Sequence, residues 1–133
     1  MTLIYTPIYA AILAVLIIIL SVRVALTRRK LRIGVGDKGD RQMLQVIRVH
    51  GNAIEYIPLS LLLMAFAELN GASFYLLNGC GIALVIGRLL HASGLSKNIG
   101  ISFGRTYGTS LTWLTILFLA IYLIYKSVAH LMT

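Results

Sequence analysis

Arg48, Asn52, Glu55 and Tyr56 stand at i, i+4, i+7 and i+8 in the stretch RVHGNAIEY. At about 100° per residue they share one face of a helix, and Arg41 and Gln45 extend the same stripe toward its N-terminal end. The planar fork of an arginine grips a carboxylate through two parallel hydrogen bonds, and a glutamate accepts from an ammonium group. The stripe therefore suits a small polar ligand that carries both groups. It equally suits a helix interface in which Arg48 and Glu55 satisfy charges and Asn52 supplies interhelical hydrogen bonds.

The surroundings sharpen the choice. The stripe runs directly into IPLSLLLMAF, residues 57 to 66. In a membrane helix a charged residue costs about 2.5–3.5 kcal/mol on insertion scales, so the stripe must face protein or water and not lipid. It is expected to be buried against another helix or another subunit. Pro58 removes one backbone hydrogen bond and leaves the carbonyl of Ile54 without its usual donor, so a kink that widens the space beside Asn52 and Glu55 is expected.

The elements that must position these groups are membrane helices. The chain has 133 residues, 59% of them hydrophobic and 12% charged, with 12 Lys and Arg against 4 Asp and Glu. Four stretches are long and apolar enough to cross a bilayer, which takes roughly 20 residues. They are helices over about residues 3–26, 41–69, 74–95 and 105–126, in a single domain with little outside the membrane. Asp40 is a fitting N-cap for the second helix. At 1.5 Å per residue that helix is about 45 Å long, so its first turns project beyond the hydrocarbon or line a polar cavity. The third carries Gly79, Gly81 and Gly87, small residues that allow close helix packing. Between the first two lies TRRKLRIGVGDKGD, residues 27 to 40, read as a basic loop.

Several function classes are set aside on these grounds. The run from Leu3 to Val22 exceeds a signal-peptide core, has no basic residue before it and no cleavage pattern after it, so it reads as a retained helix. The basic residues crowd the first connection, whereas residues 69 to 73 carry none. The positive-inside rule then places the first loop in the cytoplasm and both termini on the other side. Without interleaved aromatics this charge does not read as a nucleic-acid surface; attraction to anionic lipid headgroups fits it better. A small multidrug transporter would need an acid in its first helix, and none is there. Cys80, the single cysteine, reads as a packed helix residue. No metal-binding pattern stands out.

The stretch RVHGNAIEYIPLSLLL resembles the second-helix signature of the MAPEG superfamily, the membrane-associated proteins in eicosanoid and glutathione metabolism. The likeness covers nearly the whole chain: four spans, a basic first loop, an arginine on the third helix and another opening the fourth. It implies an all-α, four-helix integral membrane fold assembled as a homotrimer, with glutathione as co-substrate bound between neighbouring subunits near the cytoplasmic side. It also implies site roles. Arg48 matches a grip on a glutathione carboxylate. Asn52 and Glu55 match the pair that fixes the tripeptide backbone and amino group, with Tyr56 adjoining. Arg88 matches the third-helix arginine, His91 a position held by histidine or tyrosine, and Arg105 in GRTYG the proposed catalytic arginine. Leu95 departs from the pattern, standing where some members carry a second tyrosine.

The expected function is a glutathione-dependent transferase, or a peroxidase, acting on hydrophobic electrophiles dissolved in the membrane. A free thiol titrates near about 8.5, and a guanidinium beside it favours the thiolate that attacks. The pocket for the second substrate is expected to be generically apolar. A non-catalytic protein that binds a lipid or partner in the same groove is the alternative.

Overall fold

In the computed structural model, which describes residues 2–132, four long helices form one bundle. They are α1 (Tyr5–Leu31), α2 (Arg41–Leu69), α3 (Phe74–Lys97) and α4 (Phe103–Leu131). Each is long and apolar enough to cross a membrane. α2 and α3 touch each other and both flanking helices, whereas α1 and α4 do not meet. The site elements α2, α3 and α4 thus share one side of the bundle, and α1 braces the other.

Four helix ends lie beyond their expected positions. α1 starts at Tyr5 and continues past Leu26, because TRRKL is built of helix-compatible residues and its basic side chains suit the negative end of the helix dipole. It stops where Arg32 takes a left-handed conformation (φ 54°). Helical residues therefore occupy the first part of what the sequence suggests is loop, and the remaining turns use positive φ at Gly36 and Gly39. α3 runs on to Lys97. α4 opens at Phe103, ahead of Arg105, because Ser102 Oγ accepts the Arg105 N–H at 3.3 Å as an N-cap. It continues to Leu131, past the expected end near residue 126.

α2 begins at Arg41, with Asp40 Oδ1 accepting the Met43 N–H at 2.8 Å. The helix continues through Pro58, whose ring lies on an exposed face. Its opposite edge, Val49, Ala53 and Ile57, packs with Leu13 and Leu20 of α1 and Leu84, Ala92 and Leu95 of α3 in the main core cluster. A smaller cluster of Ile33, Met43 and Val46 anchors the first connection to the start of α2. At the far end Glu68 accepts the N–H groups of Ile4, Tyr5 and Thr6 at 2.5, 2.8 and 2.8 Å, which satisfies donors that α1 leaves unpaired in its first turn.

The α3–α4 contact is made backbone to backbone. A methyl group on Gly108 would sit 2.5 Å from both Gly87 O and His91 N, and one on Gly94 would sit 2.5 Å from Arg105 N. Only hydrogen at these positions lets the two helices approach this closely. The start of α4 is thereby pressed against the last turns of α3, where His91 and Leu95 lie.

Candidate functional site

The polar stripe of α2 divides by exposure. Asn52 and Tyr56 are half-buried toward α3 and α4, whereas Arg48 and Glu55 are exposed on the outside of the single chain. Among the described residues no hydrogen bond or ion pair engages Arg48 or Glu55. Gln45, one turn before Arg48, donates through Nε2 to Leu95 O at 2.7 Å and Ser96 O at 3.1 Å, tying α2 to the end of α3.

Arg88 lies beneath the stripe, 1% exposed, beside His91 at 2%. Its Nη2 donates to Asn52 Oδ1 at 2.7 Å and lies 3.3 Å from His91 Nδ1. Its Cζ is 5.7 Å from the centre of the Tyr56 ring, within cation–π range. Arg105 reaches the same region from the start of α4. Its Nη1 donates to Ile99 O at 2.9 Å and Gly100 O at 3.4 Å, so the guanidinium is steadied by the loop that precedes it.

Two adjoining cavities result. The smaller, about 120 Å³, is lined by Leu44, Gln45, Arg48, Asn52, His91, Leu95, Ile99 and Arg105. The larger, about 570 Å³, is lined by Asn52, Tyr56, His91, Ile101, Arg105, Thr106, Thr109, Ser110 and Trp113. Asn52, His91 and Arg105 belong to both walls. A compact space with two arginines thus opens past three shared polar residues into a wider cleft. The rim of that cleft, Ile101, Thr106, Ser110 and Trp113, is exposed on the outer surface of the bundle.

The model of the MAPEG family matches residues 6–125, nearly the full length of the bundle. The chain belongs to the MAPEG family. It is 38% identical over 116 residues to the inner membrane protein YecN of Escherichia coli strain K12, an alignment that covers 87% of each chain. The protein of the same name from Escherichia coli O6:H1 shows the same identity and coverage.

In this MAPEG protein the residues singled out from sequence are not all equivalent. Arg48, Asn52, His91 and Arg105 meet around the small cavity, although they come from three helices. Tyr56 belongs to the larger cleft. Arg88 lines neither; it stands behind Asn52 and His91. Glu55 lines neither cavity and points out of the chain. Leu95 closes one wall of the small cavity with an apolar side chain.

Two sets of residues escaped sequence reading. Gly94, Gly104 and Gly108 create the close approach that brings Arg105 to His91. The G-x-x-x-G spacing within GRTYG could have exposed the latter pair. Thr106, Thr109, Ser110 and Trp113 line one side of the larger cleft, at i, i+3, i+4 and i+7 on α4. That spacing was legible as a face. Three of these side chains, Thr106, Thr109 and Ser110, carry hydroxyl groups, set in a cleft whose surface is mainly apolar.

Proposed function

We propose that this protein is a glutathione-dependent transferase that works within the membrane, binding the tripeptide in the small cavity and a hydrophobic electrophile in the wider cleft. The observation that carries this reading is the shared wall: Arg48 and Arg105 line one cavity, and Arg105 with Asn52 and His91 also borders the second. A thiolate held beside Arg105 would lie at the junction, within reach of a substrate arriving from the bilayer. Arg48 suits a carboxylate of glutathione, and Asn52 suits its peptide groups. Membership of the MAPEG family supports glutathione as the thiol.

The site extends between subunits of a homotrimer. Arg48 and Glu55 lie exposed in a helix apolar enough to span the membrane, where an uncovered charge is expensive. A neighbouring subunit packed against this face would cover both, with Glu55 positioned to meet the ligand's ammonium group at the interface. The crowd of basic residues at the α1–α2 connection supports a cytoplasmic position for that loop, with both termini opposite. The name of the Escherichia coli relative supports the inner membrane as the location.

The test is thiolate-difference spectroscopy on the purified protein. Glutathione added to the native protein is expected to produce thiolate absorbance at neutral pH, and Arg105→Ala is expected to abolish it while glutathione still binds. Absence of binding in the native protein rejects the reading. Binding without thiolate in the native protein favours a non-catalytic, ligand-holding role.

A further inference from the structure

Arg88 is a buried guanidinium that forms no ion pair among the described residues, although the Glu55 carboxylate lies near enough to act on it electrostatically. Its Nε is buried and has no acceptor among the described residues, and its hydrogen-bonding neighbours, Asn52 and His91, are both formally neutral partners. A buried ion of this kind is weak ground for stability, since its desolvation is only partly offset by neutral partners and the Tyr56 ring. Its bonds do, however, carry directional information.

A guanidinium only donates. The oxygen of Asn52 must therefore be the atom that faces Arg88, at 2.7 Å, and the amide Nδ2 must point the other way. By the same rule His91 Nδ1, at 3.3 Å, must be the bare acceptor nitrogen, so that in the neutral ring the proton resides on Nε2. Both residues line the small cavity.

We propose that Arg88 is a positioning residue, which from inside the bundle fixes Asn52 Nδ2 and His91 Nε2–H as hydrogen-bond donors toward the ligand cavity. Arg48 and Arg105 line the same space. Gln45 commits its Nε2 to the carbonyls of Leu95 and Ser96, so its Oε1 is the acceptor it has left to offer. The wall is thus polarised for an anionic group, a carboxylate or thiolate, adjacent to one N–H. Without Arg88 the Asn52 amide is free to flip and the His91 proton is free to move to Nδ1, and each change replaces a donor by an acceptor facing an anion.

The functional half of this inference rests on the glutathione reading; the structural half does not. The experiment is nitrogen NMR on protein labelled with ¹⁵N-histidine, with His91 assigned by comparison with His91→Gln. At neutral pH the native protein without ligand is expected to show the Nε2–H tautomer at His91, and Arg88→Met is expected to show a mixture. The Nδ1–H tautomer in the native protein overturns the proposal, and so does an unchanged tautomer in a folded Arg88→Met protein. If Arg88→Met does not fold, the native tautomer still decides. Glutathione affinity is then expected to fall at least tenfold in the folded variant, and an unchanged affinity refutes the positioning role. Native protein that shows the expected tautomer yet binds no glutathione sinks the transferase reading and leaves the placement of the two protons standing.

Discussion

Arg48 and Arg105 reach one cavity from different helices, and each is expected to act on a different part of the ligand. Arg48, exposed at the wall of the small cavity, is the residue proposed to grip the ligand's carboxylate. A charge-assisted hydrogen bond contributes about 1.5–3 kcal/mol, and each 1.4 kcal/mol is about tenfold in affinity, so Arg48→Ala should weaken glutathione binding by about 10- to 100-fold. Titration calorimetry on the folded variant measures this; unchanged affinity would remove Arg48 from the site. Arg48→Lys should recover part of the loss, since it restores the charge without the fork. At this scale helical periodicity was informative within one helix and silent between helices, where only the family resemblance spoke. The spacing of Arg48, Asn52 and Tyr56 disclosed a shared face, because α-helical periodicity alone dictates it. The meeting of His91 with Arg105 depends on how closely α3 and α4 approach, and periodicity carries no such information. The direction in which Glu55 points was likewise hidden, since the face it shares with Asn52 is wide enough to be split between the bundle interior and its outer surface.

At the scale of the elements, the existence of four helices was written in the apolar runs, whereas their ends were set by local chemistry that hydropathy does not register. Basic residues that look like loop continue α1 to Leu31, and Ser102 starts α4 ahead of Arg105. The packing of those helices can be tested with two glycines of opposite environment. Gly108→Ala would place a methyl carbon 2.5 Å from Gly87 O and His91 N, whereas at Gly79 nothing lies within 4 Å. Overpacking of this kind typically destabilises by about 1–3 kcal/mol, so Gly108→Ala should lower the melting temperature and move Arg105 away from His91, with loss of the thiolate absorbance. Gly79→Ala should leave stability unchanged or raise it by up to about 1 kcal/mol, because alanine is the better helix former. Equal melting temperatures for the two variants would mean that the α3–α4 approach is looser than described. A second test concerns α1, whose N-cap residue Ile4 offers no side-chain acceptor. Glu68 performs that role from α2, and Glu68→Ala should destabilise the protein by about 1–2 kcal/mol, the size of a lost helix cap. Protease sensitivity rising first at the N-terminus of α1 would show that the loss is local to that junction.

At the scale of the whole molecule, the single chain is an incomplete solution to its own composition. Its outward apolar side chains, such as Ile12, Ile19, Phe118 and Ile124, suit lipid and need no partner. Arg48 and Glu55 do not: at about 2.5–3.5 kcal/mol each for a charge near the middle of a span, lipid is the one environment this face cannot meet unaided. Water could cover the two residues near the basic end of the bundle, but Glu55 lies seven positions further along α2 than Arg48, about 10 Å deeper at 1.5 Å per residue. In the homotrimer proposed above, a neighbouring subunit that covers Glu55 would also enclose the cavity beside Arg48. Native mass spectrometry of the protein released from mild detergent should therefore give a trimer, and cysteines placed on the exposed α2 face, as in Ile54→Cys, should become protected from maleimide in the assembled form. A protein that is monomeric and still binds glutathione with Arg48 fully reactive to solvent would show that the site is closed within one chain, and the interface reading of the polar stripe would have to be abandoned.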